Sequence, residues 1–181
     1  REKSQFNFPG TFGILVQVIF MSKMGRGSCM LPTPEKFTLV AGKGEGPTGL
    51  NAFDNALLAA GLGNLNLVRV SSILPPGAEY VDKVSIPPGS LTPTAYGALI
   101  SEVPGETIAA AVAVGLSEDS FGVIMEYSGR CSREEAEQKV VGMVENAFAQ
   151  RQMPLKKTLV KSVEHKVESI GCVFAAVALW Y

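Results

Sequence analysis

Asn64-Leu65-Asn66-Leu67-Val68-Arg69-Val70-Ser71-Ser72-Ile73-Leu74-Pro75-Pro76-Gly77 is a run of strand-forming residues that meets a stop. Its apolar and β-branched side chains suit a pleated surface, whereas Pro75 and Pro76 have no backbone N–H and cannot continue a ladder. The two-residue period of a strand puts Asn66, Val68, Val70 and Ser72 on one face, and Leu65, Leu67, Arg69 and Ser71 on the other. Two serines therefore end the strand against a rigid turn. Before this run, Asn51–Ala60 predicts a short helix with Thr48 or Asn51 as cap and Gly61 just past its end. Phe53, Ala56, Leu57 and Ala60 form its apolar face, and Asp54 and Leu58 lie on an adjacent one. Phe37–Ala41 reads as a strand that Gly42-Lys43-Gly44-Glu45-Gly46-Pro47 breaks. Those glycines lack the GxxxxGK[ST] pattern, so they predict a flexible loop rather than a phosphate cradle.

After the turn, strands are expected at Ala95–Glu102, Ile108–Leu116 (Ala/Val-rich, suited to packing on both faces) and Phe121–Tyr127. A helix follows from Ser132, where Ser132 and Glu135 form a capping box and Ala136, Val140, Met143, Val144 and Ala147 recur at helical spacing. Leu159–Val167 and Cys172–Trp180 close the chain as strands. Strands outnumber helices and arrive in groups, which gives an α+β class with helices packed on largely antiparallel sheets. One domain is expected over residues 34–181.

The 181 residues are 46% hydrophobic and 18% charged, a globular composition long enough for a substantial core. Sixteen basic and 17 acidic side chains leave a formal charge of −1, so no cationic surplus is present to grip a nucleic acid. Cys29, Cys131 and Cys172 are widely spaced and odd in number, a poor disulfide framework that points to a reducing, cytoplasmic setting. The one histidine, His165, lies in the polar stretch Glu164-His165-Lys166 and reads as a solvated surface residue; with it alone, histidine metal clusters and Ser/His/Asp triads are not expected. Residues 1–33 read as an extension of uncertain origin, disordered, artefactual or an extra strand, with Met21, Met24 or Met30 as a natural start. Its apolar run Phe12–Phe20 is too short to span a bilayer and lacks a small-x-small cleavage site, so no membrane association is expected.

Chemistry concentrates at the two serines. If the turn holds the Ser72 hydroxyl against the Ser71 carbonyl, an N-to-O acyl shift yields an ester, elimination yields dehydroalanine, and hydrolysis leaves an N-terminal pyruvoyl group. Proximity in a strained turn can supply about 7–11 kcal/mol of such a barrier. Together with Leu50-Asn51-Ala52-Phe53-Asp54, Pro93-Thr94-Ala95-Tyr96-Gly97, Val103-Pro104-Gly105-Glu106-Thr107-Ile108 and Ile124-Met125-Glu126-Tyr127, the run Asn64–Pro76 resembles the archaeal-type pyruvoyl-dependent arginine decarboxylases. The resemblance extends from about Phe37 to Tyr181 and leaves residues 1 to about 33 uncovered.

The resemblance implies a four-layer αββα sandwich, cleavage between Ser71 and Ser72, and assembly as a trimer of cleaved protomers. It makes Ser72 the pyruvoyl cofactor at the head of chain 72–181, in place of pyridoxal phosphate and without a metal. The ketone would form a Schiff base with arginine's α-amine, releasing CO2 and leaving agmatine. Glu126 matches the family's proton donor; Gly122, Ile124 and Glu126 share one apolar strand face, a setting that raises a carboxyl pKa. Asp54 matches the guanidinium-binding aspartate, whose two oxygens accept a forked pair of hydrogen bonds. Asn66 matches an asparagine that positions the reacting groups. Six strand residues place it about 20 Å from Ser72, so the chain bends or the two meet across a subunit interface. Decarboxylation of another amino acid, histidine or aspartate, and an uncleaved structural or binding relative are the rival readings; Asp54 favours a strongly cationic side chain.

Overall fold

Each alternation of apolar and small residues finds a layer to bury it. The computed structural model describes residues 32–83 and 85–181, so the readings of Cys29, the apolar run at 12–20 and the three methionine starts lie outside the described residues. In chain order come β1 (Lys36–Glu45), α1 (Gly49–Ala59), β2 (Asn66–Arg69), β3 (Ile73–Leu74), β4 (Glu79–Tyr80) and β5 (Leu91–Ser101). There follow β6 (Thr107–Leu116), β7 (Gly122–Gly129), α2 (Arg133–Gln150), β8 (Lys157–Lys166) and β9 (Gly171–Trp180). The first sheet has the order β2-β5-β9-β1-β4 and the second β3-β7-β6-β8. Pairing is antiparallel except at the two edges of the first sheet, where β2 runs parallel to β5 and β4 to β1.

Three apolar layers separate four structural ones. Phe37, Leu39 and Val177 of the first sheet meet Val112, Val114 and Ile124 of the second. Ala52, Ala56 and Leu57 of α1 pack on Phe174 and Ala176, and Ala136, Val140 and Val144 of α2 pack on Ala111 and Val123. The order is helix, sheet, sheet, helix, as expected. The central strands β6 and β9 are buried on both faces, which their Ala/Val sequences foreshadow. Thr48 caps α1 by accepting from the Asn51 N–H, and Ser132 and Glu135 form the expected capping box on α2.

Four expectations are corrected. The glycine run after Ala41 is strand rather than loop: Gly42, Lys43, Gly44 and Glu45 pair with Phe174, Val173, Cys172 and Gly171. A Cβ on Gly42 would lie 2.2 Å from the Ala56 carbonyl oxygen, and one on Gly44 would lie 2.7 Å from the Ala56 nitrogen. The glycines are spaced by two so that α1 lies against bare backbone. The predicted strand 64–72 is shorter than expected, and Ile73-Leu74 pairs with β7 of the second sheet before the prolines stop it. His165 is not a solvated residue: its side chain is 11% exposed, and Nε2 lies 2.5 Å from Glu45 Oε1. Met143 also departs from the core stripe of α2, at 39% exposure.

Candidate active site

The site forms where the chain changes sheets. On leaving β2, Val70 still donates its N–H to the Thr94 carbonyl of β5 at 3.2 Å. The Ser71 carbonyl then accepts from the Ile73 N–H at 2.7 Å, a three-residue turn centred on Ser72. The Ser72 carbonyl accepts from the Ile124 N–H at 2.8 Å, which fastens the bend to β7. Both carbonyls flanking Ser72 are thereby fixed by backbone donors from the second sheet.

This bend points the Ser72 hydroxyl at β7. Its Oγ donates to Glu126, at 3.0 Å from Oε2 and 3.3 Å from Oε1. Glu126 is half-buried, and that burial pushes its carboxyl above the ordinary range; the Ser72 hydrogen bond and the positive charge of Arg69 oppose the rise without cancelling it. Arg69 is itself fixed, with Nη2 donating to the Tyr96 carbonyl at 3.0 Å and its guanidinium 4.6 Å over the Tyr96 ring. A serine hydroxyl, its preceding carbonyl and a carboxyl of raised proton affinity thus share one turn. That set can shift an acyl group within the chain, and it can exchange a proton with a small molecule in the same place.

The five residues singled out from sequence fall into two groups. Ser71, Ser72 and Glu126 are brought together. Asn66 lies exposed at the start of β2, its Nδ2 donating to the Gly89 carbonyl at 2.7 Å. Asp54 stands exposed on α1. Neither makes a hydrogen bond to Ser72 or Glu126 within this chain. The structure adds three contributors that sequence reasoning passed over: Ile124 and Ile73 through their N–H groups, and Arg69 through Tyr96. The backbone donors carry no residue-type signal, and Arg69 read only as one face of a strand. A depression of about 550 Å³ beside α2, lined by Met125 of β7 and by Gln138, Met143 and Asn146 among others, takes in none of Ser71, Ser72 and Glu126. Among the described residues no cluster of three His, Cys, Asp or Glu is placed to hold a metal ion. Cys172 is buried, which pushes its thiol up to about 12 and leaves it unreactive.

A family model described as pyruvoyl-dependent arginine decarboxylase matches residues 36–181. A pyruvoyl-dependent arginine decarboxylase of Methanocaldococcus jannaschii is 54% identical over 150 residues, covering 82% of this chain and 91% of the relative. One from Thermococcus sibiricus is 47% identical over 154 residues, covering 82% and 98%. One from Pyrococcus abyssi is 49% identical over 139 residues, covering 75% and 88%.

Proposed function

The chain belongs to the pyruvoyl-dependent arginine decarboxylase family, and from that membership we infer how its own residues make the pyruvoyl group and use it on arginine. The enzyme is a carboxy-lyase that converts arginine to agmatine and CO2, with a covalent pyruvoyl group as cofactor. We assign the origin of that group to Ser72, and the observation that carries the assignment is the hydrogen bond from its Oγ to Glu126 inside the turn.

In the uncut chain, Glu126 accepts the Ser72 hydroxyl proton as Oγ attacks the Ser71 carbonyl carbon. The Ile73 N–H already donates to that carbonyl oxygen and supports the charge that develops there. The Ser71–Ser72 peptide bond breaks, the freed nitrogen takes a proton, and Ser71 remains as an ester on Ser72. Loss of the Ser72 α-proton expels Ser71 as a carboxylate and leaves dehydroalanine. Addition of water and release of ammonia complete the group at the head of the second chain.

The surroundings fit such a group. The Ser72 carbonyl, which stays beside the new ketone, is fixed by the Ile124 N–H, and the half-buried Glu126 faces the side chain that is converted. Once formed, such a group would supply an electrophilic carbonyl for the substrate's α-amine and an electron sink for the bond to CO2. Glu126 holds the proton that the α-carbon needs after CO2 departs, since its raised carboxyl stays protonated further toward neutral pH.

Asp54 supplies the carboxylate for the arginine guanidinium, and Asn66 positions the reacting groups, each from a neighbouring subunit. Their separation from Ser72 within one chain supports this, as does the surface around Asp54. Leu50, Asp54 and Leu58 recur every four residues on the outer stripe of α1, and the two leucines are 76% and 51% exposed. An acidic residue between two uncovered leucines suits a face that another copy closes, in the trimer the family resemblance implies. No helix among the described residues is long and apolar enough to cross a membrane; we assign the enzyme to the cytoplasm.

Intact mass under denaturing conditions tests the core of this reading. Two chains parted between Ser71 and Ser72 are expected, with the second carrying the pyruvoyl mass, and Ser72→Ala is expected to stay whole. Normal cleavage of Ser72→Ala would overturn the assignment.

A further inference from the structure

The edge of the first sheet shows how Ser72 is released to reach Glu126. In the parallel ladder between β2 and β5, donors from the first strand step by two: the Asn66 N–H bonds the Ser90 carbonyl at 3.0 Å and the Val70 N–H bonds the Thr94 carbonyl at 3.2 Å. The next rung of that series would run from the Ser72 N–H to the Tyr96 carbonyl. The chain breaks the series there, because Ser72 has turned to β7 and gives its own carbonyl to Ile124. The Tyr96 carbonyl is bonded all the same, by Arg69 Nη2 at 3.0 Å. An arginine side chain from the last residue of β2 supplies the rung that the backbone withdraws.

We propose that Arg69 is a positioning residue for self-cleavage: its guanidinium takes the Tyr96 rung that Ser72 gives up, so that Ser72 crosses to the second sheet while a cation is held beside Glu126. The inference rests on cleavage at Ser71–Ser72. The placement of the cation follows from how closely the sheets touch. A Cβ on Gly97 would sit 3.2 Å from the Tyr127 carbonyl group, so β5 and β7 meet backbone to backbone at that point. Tyr96 and Glu126 are each one residue from the contact. A guanidinium bonded to the Tyr96 carbonyl and stacked on its ring is therefore held in place near Glu126.

Among the described residues the groups on the adjoining strands are uncharged, and Lys161 of β8 lies one strand further out on the same rung, beyond Val112. β6 offers its ladder partner Val112, β5 offers Ala95 and Gly97, and β3 offers Ile73 and Leu74. Tyr127 and Lys139 bond each other at 2.8 Å on the α2 side of β7, and Arg130 is bonded to Glu106 at 2.7 Å. Among the described residues Arg69 is the ionic partner whose field acts on Glu126. A cation there favours the carboxylate, the form that accepts the Ser72 proton.

Three variants separate the rung from the charge. Cleavage is followed by intact mass at a series of pH values, with folding checked by thermal unfolding of the same variants in a Ser72→Ala background. Arg69→Ala loses both features, and cleavage is expected to slow about tenfold or more, as for loss of a charge-assisted hydrogen bond. Arg69→Gln keeps an N–H donor without the charge and is expected to recover part of the rate. The pH midpoint of cleavage is expected to be higher in both, because removing the positive charge makes the carboxylate form only at higher pH. Arg69→Lys is expected to hold the wild-type midpoint, and the difference between Lys and Gln should shrink in high salt. Wild-type cleavage rate and midpoint in Arg69→Ala would overturn the proposal. So would equal slowing in all three variants with an unmoved midpoint, the signature of a purely structural loss. Wild type that fails to cleave would instead overturn the assignment of Ser72.

Discussion

On the proposed reading Glu126 has opposite tasks before and after Ser72 is processed, and its surroundings would change in the direction each task needs. Before cleavage the Ser72 hydroxyl donates to it, which favours the carboxylate and so the base. After cleavage that donor no longer exists. On that reading burial would then be opposed by Arg69, and the carboxyl would shift further toward the protonated acid. Self-cleavage should therefore fail as pH falls through the Glu126 titration, while arginine decarboxylation should fail as pH rises through it. The cleaved enzyme's basic limb should lie above the midpoint for cleavage of the uncut chain. Rates of both processes across one pH series check this, and both limbs falling off in the same direction would contradict it. Glu126→Gln keeps the shape but neither accepts nor donates the proton, so cleavage should be strongly slowed. Any cleaved fraction should decarboxylate arginine about 100-fold or more slowly than wild type.

The strands and helices were legible to different degrees, for physical reasons that differ from one to the next. The capping box of α2 and the Ala/Val runs of β6 and β9 read correctly because local chemistry and burial agree there. Gly42–Glu45 misled because glycine signals a break when nothing is known of its neighbours. The reason for these glycines is a helix that lies about ten residues further on in sequence, and no local pattern reveals it. The crossing at Ser72 was half legible: the prolines marked the stop, but not that Ile73-Leu74 would first pair with a different sheet. Ser72 and Glu126, 54 residues apart, meet only through that pairing. His165 read as solvated because its sequence neighbours are polar, whereas its partner Glu45 arrives from β1. Burial would raise the Glu45 carboxyl, but the Glu168 N–H, His165 and the Ser169 N–H together hold it low. The close seating of α1 gives a direct test. Gly44→Ala would press a methyl group into the backbone at Asn55 and Ala56, and should cost about 1–3 kcal/mol of stability. Urea unfolding of the uncut Ser72→Ala form measures this free of cleavage, and an unchanged midpoint would show that α1 yields without strain. Because α1 carries Asp54, the same substitution in the cleaving enzyme should raise the KM for arginine more than it lowers kcat.

On the proposed reading a single copy of the chain would hold a complete cleavage turn and an incomplete substrate site, and that asymmetry predicts how mixed assemblies behave. Ser71, Ser72 and Glu126 share one bend, so cleavage should depend on one chain's own residues. Asp54 lies on the outer stripe of α1 with Leu50 and Leu58, away from that bend, so arginine binding should need a neighbour's Asp54. Asp54→Ala should cleave normally but lose arginine use, by about 2–5 kcal/mol for a charge-assisted pair shielded from water. Arginine, lysine, ornithine and histidine compared by CO2 release show whether that loss is specific to the guanidinium. A carrier of the opposite defect is also needed, namely Glu126→Gln chains in whatever state of processing they reach. When Asp54→Ala and Glu126→Gln chains are co-expressed in equal amounts, so that they assemble before cleavage parts 1–71 from 72–181, a site within one chain is always defective, and activity should stay at background. A site shared between neighbours in a closed ring is intact whenever a Glu126→Gln chain lends its Asp54 to an Asp54→Ala chain. Random assembly makes that so at roughly one site in four. Recovery toward a quarter of the wild-type rate, absent when either variant is expressed alone, is the expected result. Background activity in the mixture, with assembly confirmed by mass, would place Asp54 and Glu126 in the same chain's site.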